Sequence, residues 1–74
     1  MNKANINVLL NAKTMQLPQQ SCLADALQLW QSKRLIGEKF ACAKNGEFVP
    51  RSYYAETLLS EGDLIDIVQP VGGG

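Results

Sequence analysis

One stretch of this chain carries a helical period, and most of what surrounds it alternates. Leu23, Ala26, Leu27 and Trp30 fall at i, i+3, i+4 and i+7, which draws one apolar stripe along a helix. Ser21 or Cys22 begins it. Asp25 lies in its first turn and Lys33 and Arg34 in its last, each placed favourably for the helix dipole, and Gly37 lies beyond its end and helps stop it. A lone amphipathic helix must bury its stripe on another layer, and the rest of the chain offers a sheet.

Ile6, Val8 and Leu10 alternate with polar neighbours, so residues 5–10 read as a half-buried strand. Asn11-Ala12-Lys13 is a hairpin turn, and Thr14 to Leu17 is the return strand with Met15 and Leu17 facing the core. Pro18 closes it because proline cannot donate to a ladder. Phe40 to Lys44 is a third strand, Asn45-Gly46 its turn, and Glu47-Phe48-Val49 a short fourth. Pro50 suits the first helical position, so residues 51–57 form a turn or short helix. Glu61-Gly62-Asp63 is another turn, and Leu64 to Gln69 the last strand, with Ile65 and Ile67 inward. The predicted order is β-β-α-β-β-β, an α+β domain spanning residues 1–69.

Size and charge narrow the function. A chain of 74 residues is a single domain that buries roughly 60–65% of its unfolded surface, with no room for a separate catalytic domain. Seven basic residues balance seven acidic ones, and the longest basic run is Lys33-Arg34. That is a poor match to the clustered cations phosphate backbones require. No apolar run approaches a membrane span, and residues 1–5 do not resemble a signal peptide, so no membrane partner and a cytoplasmic location are expected. Two cysteines, Cys22 and Cys42, with no histidine, argue against a zinc site or an iron–sulfur cluster. In a reducing compartment both are expected to be free thiols. No histidine, triad arrangement or phosphate-cradling loop points to an enzyme.

Residues 70–74 are different in kind. The chain ends Gln69-Pro70-Val71-Gly72-Gly73-Gly74. Glycines bury no side chain and lose the most backbone entropy on ordering, so residues 70–74 are expected to form a flexible arm. Fully extended, they reach about 17 Å. Such an arm suits presenting a terminal carboxylate inside a partner enzyme. A carboxylate is a poor electrophile and must first become a mixed anhydride, such as an acyl-adenylate. A frayed end is the rival explanation of the glycines.

Three ordered segments carry a resemblance: residues 45–52 (NGEFVPRS), residues 61–68 (EGDLIDIV), and the Gly-Gly end. Together with Leu23-Ala24-Asp25-Ala26-Leu27, they resemble the ThiS family over nearly the whole chain. The resemblance implies a ubiquitin-like β-grasp fold, a mixed sheet of about five strands with the helix on one face. It places the first and last strands side by side at the sheet centre. It also implies a sulfur carrier in thiamine (thiazole) biosynthesis rather than an enzyme. Gly74 would be adenylated by a ThiF-type adenylyltransferase using Mg and ATP. It would then be converted to a thiocarboxylate with sulfur from a cysteine desulfurase, and would donate that sulfur to a ThiG-type thiazole synthase. Gly73 and Gly74 match the family's reactive end, and Gly72 extends the segment that threads into the partner. No resident cofactor or metal is implied, and the free carrier is expected to be a monomer. Two departures stand out: extra residues before Ile6, and Cys22 where a hydroxyl residue normally caps the helix, which leaves capping to Ser21.

Several side chains keep two readings. Leu64 and Val68 point opposite to Ile65 and Ile67, so they form either a partner-docking surface or a partly apolar outer face. Cys22 and Cys42 are either persulfide carriers or inert thiols. Trp30 anchors helix to sheet. Arg51 is either a contact for a partner or the tail, or an exposed turn residue. Glu56, Glu61, Asp63 and Asp66 give the last third an acidic bias, read either by a basic enzyme surface or simply by solvent. The small subunit of molybdopterin synthase (MoaD type) shares the implied fold and end chemistry, and a ubiquitin-like protein modifier is the other alternative.

Overall fold

The computed structural model describes residues 5–70. Five strands form one sheet: β1 (Asn5–Leu10), β2 (Lys13–Pro18), β3 (Ala41–Lys44), β4 (Glu47–Phe48) and β5 (Leu64–Val68). The helix α1 (Leu23–Ser32) follows β2, and a 3-10 helix (Arg51–Glu56) lies between β4 and β5. The strand order is β2-β1-β5-β3-β4. β1 and β5 run parallel at the centre, and the other pairings are antiparallel. The expected pairing of first and last strands is therefore observed.

Alternation decides the two faces. Ile6, Val8, Leu10, Leu17, Cys42, Ile65 and Ile67 point inward and meet Leu23, Ala26, Leu27 and Trp30 of α1. Trp30 is wholly buried at the centre, and Met15 packs half-buried at the rim. The indole Nε1 of Trp30 has no hydrogen-bond partner among the described residues.

The turns differ in detail from the sequence reading. The first hairpin has two turn residues, Asn11 and Ala12, both at positive φ (49° and 73°), and Lys13 already belongs to β2. Positive φ at both positions matches a type I′ turn, whose twist suits a tight hairpin. Asn45 and Gly46 (φ 51° and 85°) repeat this between β3 and β4. β4 ends at Phe48, although the Val49 N–H still donates to the Cys42 carbonyl at 2.8 Å. Pro50 is the cap of the 3-10 helix rather than its first residue.

Both ends of α1 also correct expectation. Cys22 is the N-cap residue, with no capping bond from its side chain. Ser21 does not replace it, because its hydroxyl donates to the Pro18 carbonyl at 2.7 Å. The first free helical N–H, that of Leu23, instead donates to the Thr57 carbonyl at 2.7 Å. At the other end, Lys33 is the C-cap and no basic residue lies in the last turn. Arg34 adopts the left-handed conformation (φ 61°). The Leu35 N–H reaches the Trp30 carbonyl (2.9 Å) and the Arg34 N–H the Gln31 carbonyl (3.0 Å). This is a Schellman stop built on arginine. Gly37 does not end the helix.

No helix among the described residues is long and apolar enough to cross a membrane.

Candidate functional site

β5 lies at the sheet centre and leads directly toward residues 70–74, so whatever fixes β5 fixes the root of that segment. Its start is held by a buried polar knot. Asp63 is 8% exposed. Its carboxylate accepts the Ser60 N–H (2.8 Å) and Asn45 Nδ2 (3.0 Å), with Lys44 Nζ at 3.8 Å. Asn45 Oδ1 in turn accepts the Leu64 N–H at 2.9 Å. Carboxylate hydrogen bonds of this kind hold strongly because the acceptor is charged. Gly62, at φ 85°, makes the adjoining turn, and its N–H donates to the Asn7 carbonyl at 2.7 Å.

Farther along, the Asn11 carboxamide acts as an extra rung between β1 and β5. Its Oδ1 accepts the Ile67 N–H (2.8 Å), and its Nδ2 donates to the Ile67 carbonyl (3.3 Å). β5 stops at Val68, one residue short of the expected Gln69, whose Oε1 instead turns to accept the Gly37 N–H at 2.7 Å.

The outer sheet face lies beside this root. Leu64 and Val68 are both exposed, at 48% and 67%. Strand register sets Ala41 beside Val68, Ala43 beside Asp66 and Phe48 beside Ala43. Paired residues share a face, so Leu64, Val68, Ala41, Ala43 and Phe48 form one apolar surface with Asp66 inside it. Phe48, 67% exposed, extends that surface beyond the two residues singled out from sequence.

The acidic residues do not form one face. Asp63 is built into the knot just described. The Glu61 Oε1 accepts the Asn7 N–H at 2.9 Å. Glu56 closes the 3-10 helix, and Asp66 sits on the outer face. Arg51 is exposed on the 3-10 helix, beside a cleft lined by Phe40 and Tyr54, whose rings stack at 6.3 Å.

The two cysteines are not bonded to each other. Cys22 is half-buried. Cys42 is buried, and desolvation, followed by the nearby Asp66 charge, pushes its thiol up from 9.0 to about 11. A thiol so hard to ionise is a poor nucleophile. In native protein at pH 8, Cys42 is expected to resist iodoacetamide for as long as the fold persists, as read by peptide mass spectrometry. Labelling at the rate of a free thiol would overturn this. Because the folded value lies above the unfolded one, the stability from neutral Cys42 is complete below about pH 9 and is lost as pH rises toward about 11.

Among the described residues no group of three or more cysteine, histidine or acidic side chains is arranged to hold a metal. Val71, Gly72, Gly73 and Gly74 lie outside the described residues, so the tail expectations, including adenylation at Gly74, fall beyond them.

The ThiS family model matches residues 8–74. The chain belongs to the ThiS family. No curated protein matches it. Among solved structures, the crystal structure of thiamine biosynthesis protein ThiS from Geobacter metallireducens aligns with a TM-score of 0.73, covering 93% of this chain and 100% of that one. Identity is 22%, so this likeness speaks to the fold alone: the five-stranded mixed sheet with one main helix is the β-grasp arrangement.

Sequence reasoning missed Asn11, Gly37 and Gln69 as holders of the root. The Asn11–Ile67 and Gly37–Gln69 contacts join residues 56 and 32 positions apart, and no local pattern signals them.

Proposed function

We propose that this chain is a sulfur carrier of thiamine biosynthesis, a covalent substrate of other enzymes and not a catalyst. The observation that carries the reading is the family match, which runs through to Gly74. The fold supports it by setting the strand before that segment at the sheet centre and fixing it at Asp63, Asn11 and Gln69.

In the proposed sequence a ThiF-type adenylyltransferase binds Mg-ATP and the tail. A Gly74 carboxylate oxygen attacks the α-phosphorus, pyrophosphate leaves, and an acyl-adenylate forms. The terminal sulfur of a desulfurase-derived persulfide then attacks the acyl carbon and expels AMP, and a thiol cleaves the resulting acyl disulfide, freeing the thiocarboxylate as that thiol becomes a disulfide. The product is a thiocarboxylate, whose sulfur passes to a ThiG-type thiazole synthase. Gly72 and Gly73 carry no Cβ and let the backbone thread a narrow channel. The carrier itself holds no cofactor.

The outer face suits docking of the adenylyltransferase. Leu64 and Val68 lie on the strand that leads into the tail, so a partner gripping them sits at the tail root. Replacing both (Leu64→Ser, Val68→Ser) removes exposed apolar area without touching the core. The double variant is expected to raise KM of the carrier about tenfold, equivalent to ~1.4 kcal/mol, since burying one aliphatic side chain is worth about 1.5–3 kcal/mol. Unchanged activation kinetics would remove the docking role.

Intact-protein mass spectrometry tests the whole reading. The chain is incubated with Mg-ATP, a sulfur donor and either a ThiF-type or a molybdopterin-type activating enzyme. The expected result is an oxygen-to-sulfur mass shift at Gly74 with the ThiF-type enzyme alone. A shift only with the other enzyme would move the assignment to molybdopterin synthesis. No adenylate or thiocarboxylate with either would overturn the carrier reading.

A further inference from the structure

We infer that Gln69 is a positioning residue, clipping the chain just before Pro70 to the loop after α1 so that the exit from β5 is held in place. The inference rests on the carrier reading and concerns how the carboxylate is delivered.

Three observations carry it. The Gly37 N–H donates to Gln69 Oε1 at 2.7 Å, and Gln31 Nε2 of α1 donates to the Gly37 carbonyl at 2.9 Å. The Gly37 peptide is thus held by helix on one side and by the end of β5 on the other. Second, a Cβ at Gly37 would stand 2.7 Å from Gln69 Oε1. Gly37 is not among the positive-φ residues. Its backbone does not demand glycine, and a Cβ there would push the flexible Gln69 side chain away, so glycine keeps the close approach open. Third, Asn11 already clamps Ile67 from the β1 side. The clip at Gln69 carries this restraint two residues farther. Pro70 follows with its φ locked near −65°, so the root stays stiff one residue beyond the clip.

The consequence is kinetic. Freezing the backbone of even one residue costs about 1–2 kcal/mol, or roughly five- to thirtyfold in an equilibrium. A root fixed in the free carrier has met that cost before docking. Losing the clip moves the cost to the docking step, so KM rises while kcat is left nearly alone.

Three variants test this on the full chain with a ThiF-type enzyme and Mg-ATP. Gln69→Ala removes the acceptor. Gln69→Glu keeps an acceptor oxygen and serves as the rescue. Gly37→Ala displaces the Gln69 side chain without altering it. Amide hydrogen exchange at residue 37 reports the clip directly. Q69A and G37A are expected to lose that protection and raise KM about tenfold, with kcat within about twofold; Q69E is expected to keep both near wild type. The Q69A/G37A double variant should be no worse than either single, since both break one contact. A Q69A chain with lost protection but wild-type KM would overturn the positioning role. So would an equal fall in kcat and thermal stability in Q69A that Q69E does not restore. A wild-type chain with a protected Gly37 amide but no adenylation would instead sink the carrier reading and leave the clip standing.

Discussion

Removing Gly73 and Gly74 is expected to abolish ATP-dependent sulfur loading. The shortened chain still ends in glycine, at Gly72, so the chemistry of its terminal carboxylate is unchanged. What changes is reach. Two residues span about 7 Å, and the root is pinned at Gln69 by its bond to Gly37. A carboxylate held several ångströms from the α-phosphate cannot attack it, and misplacement by even ~1 Å can cost about a hundredfold. The expected loss therefore exceeds about a thousandfold, measured as adenylate formed per minute by intact mass. Circular dichroism on the same sample checks that the domain remains folded. Loading at even a tenth of the wild-type rate would show that the carboxylate is not delivered by an arm of fixed length. Full loading would show that a carboxylate at Gly72 suffices and that reach does not limit activation.

Trp30→Ala is expected to remove a large share of the folding free energy. Trp30 is fully buried and lies where α1 meets the sheet. Truncating a buried tryptophan typically costs about 3–5 kcal/mol in lost transfer energy and cavity formation. A domain of this length has roughly 4–11 kcal/mol in total, at ~0.05–0.15 kcal/mol per residue. Each kcal/mol moves the midpoint by about 4–8 °C in a domain this small. A drop of more than about 12 °C in Tm, or no cooperative transition, is the expected result. Trp30→Phe separates volume from polarity. It keeps a large ring and deletes the indole N–H, which has no partner among the described residues. An unsatisfied buried donor costs about 1–3 kcal/mol, so the phenylalanine variant is expected to lose less than half as much as alanine. Equal losses in both would mean that the indole N–H contributes to the fold.

The corrections share a cause. Helix-end preferences put cations in the last turn and glycine at the stop, which points to Lys33, Arg34 and Gly37. The chain instead stops at an arginine in the left-handed conformation. Glycine was free to serve elsewhere, and it serves where Gln69 approaches. Ser21 has the chemistry of a cap, but the nearby Pro18 carbonyl takes its hydroxyl and the distant Thr57 carbonyl takes the helix N–H. By charge alone Asp63 is one more surface acid, because charge does not reveal a partner. Asn45, Ser60 and Lys44 make it part of the interior.

By itself the sequence determined the elements and their faces. Period 3.6 placed Leu23, Ala26, Leu27 and Trp30 on one stripe. Period 2 put Ile65 and Ile67 inside and Leu64 and Val68 outside. Asn45-Gly46 made a hairpin because those residues accept positive φ. These properties are local, set by each residue and its near neighbours. The β5–β3 pairing, and what Asn11, Gln69, Gly37 and Asp63 touch, were decided by the tertiary structure, while the β1–β5 pairing was implied by the family resemblance and not by any local pattern. Those contacts join distant positions in the chain, and a polar side chain reveals its partner only when folding brings the two within hydrogen-bond reach.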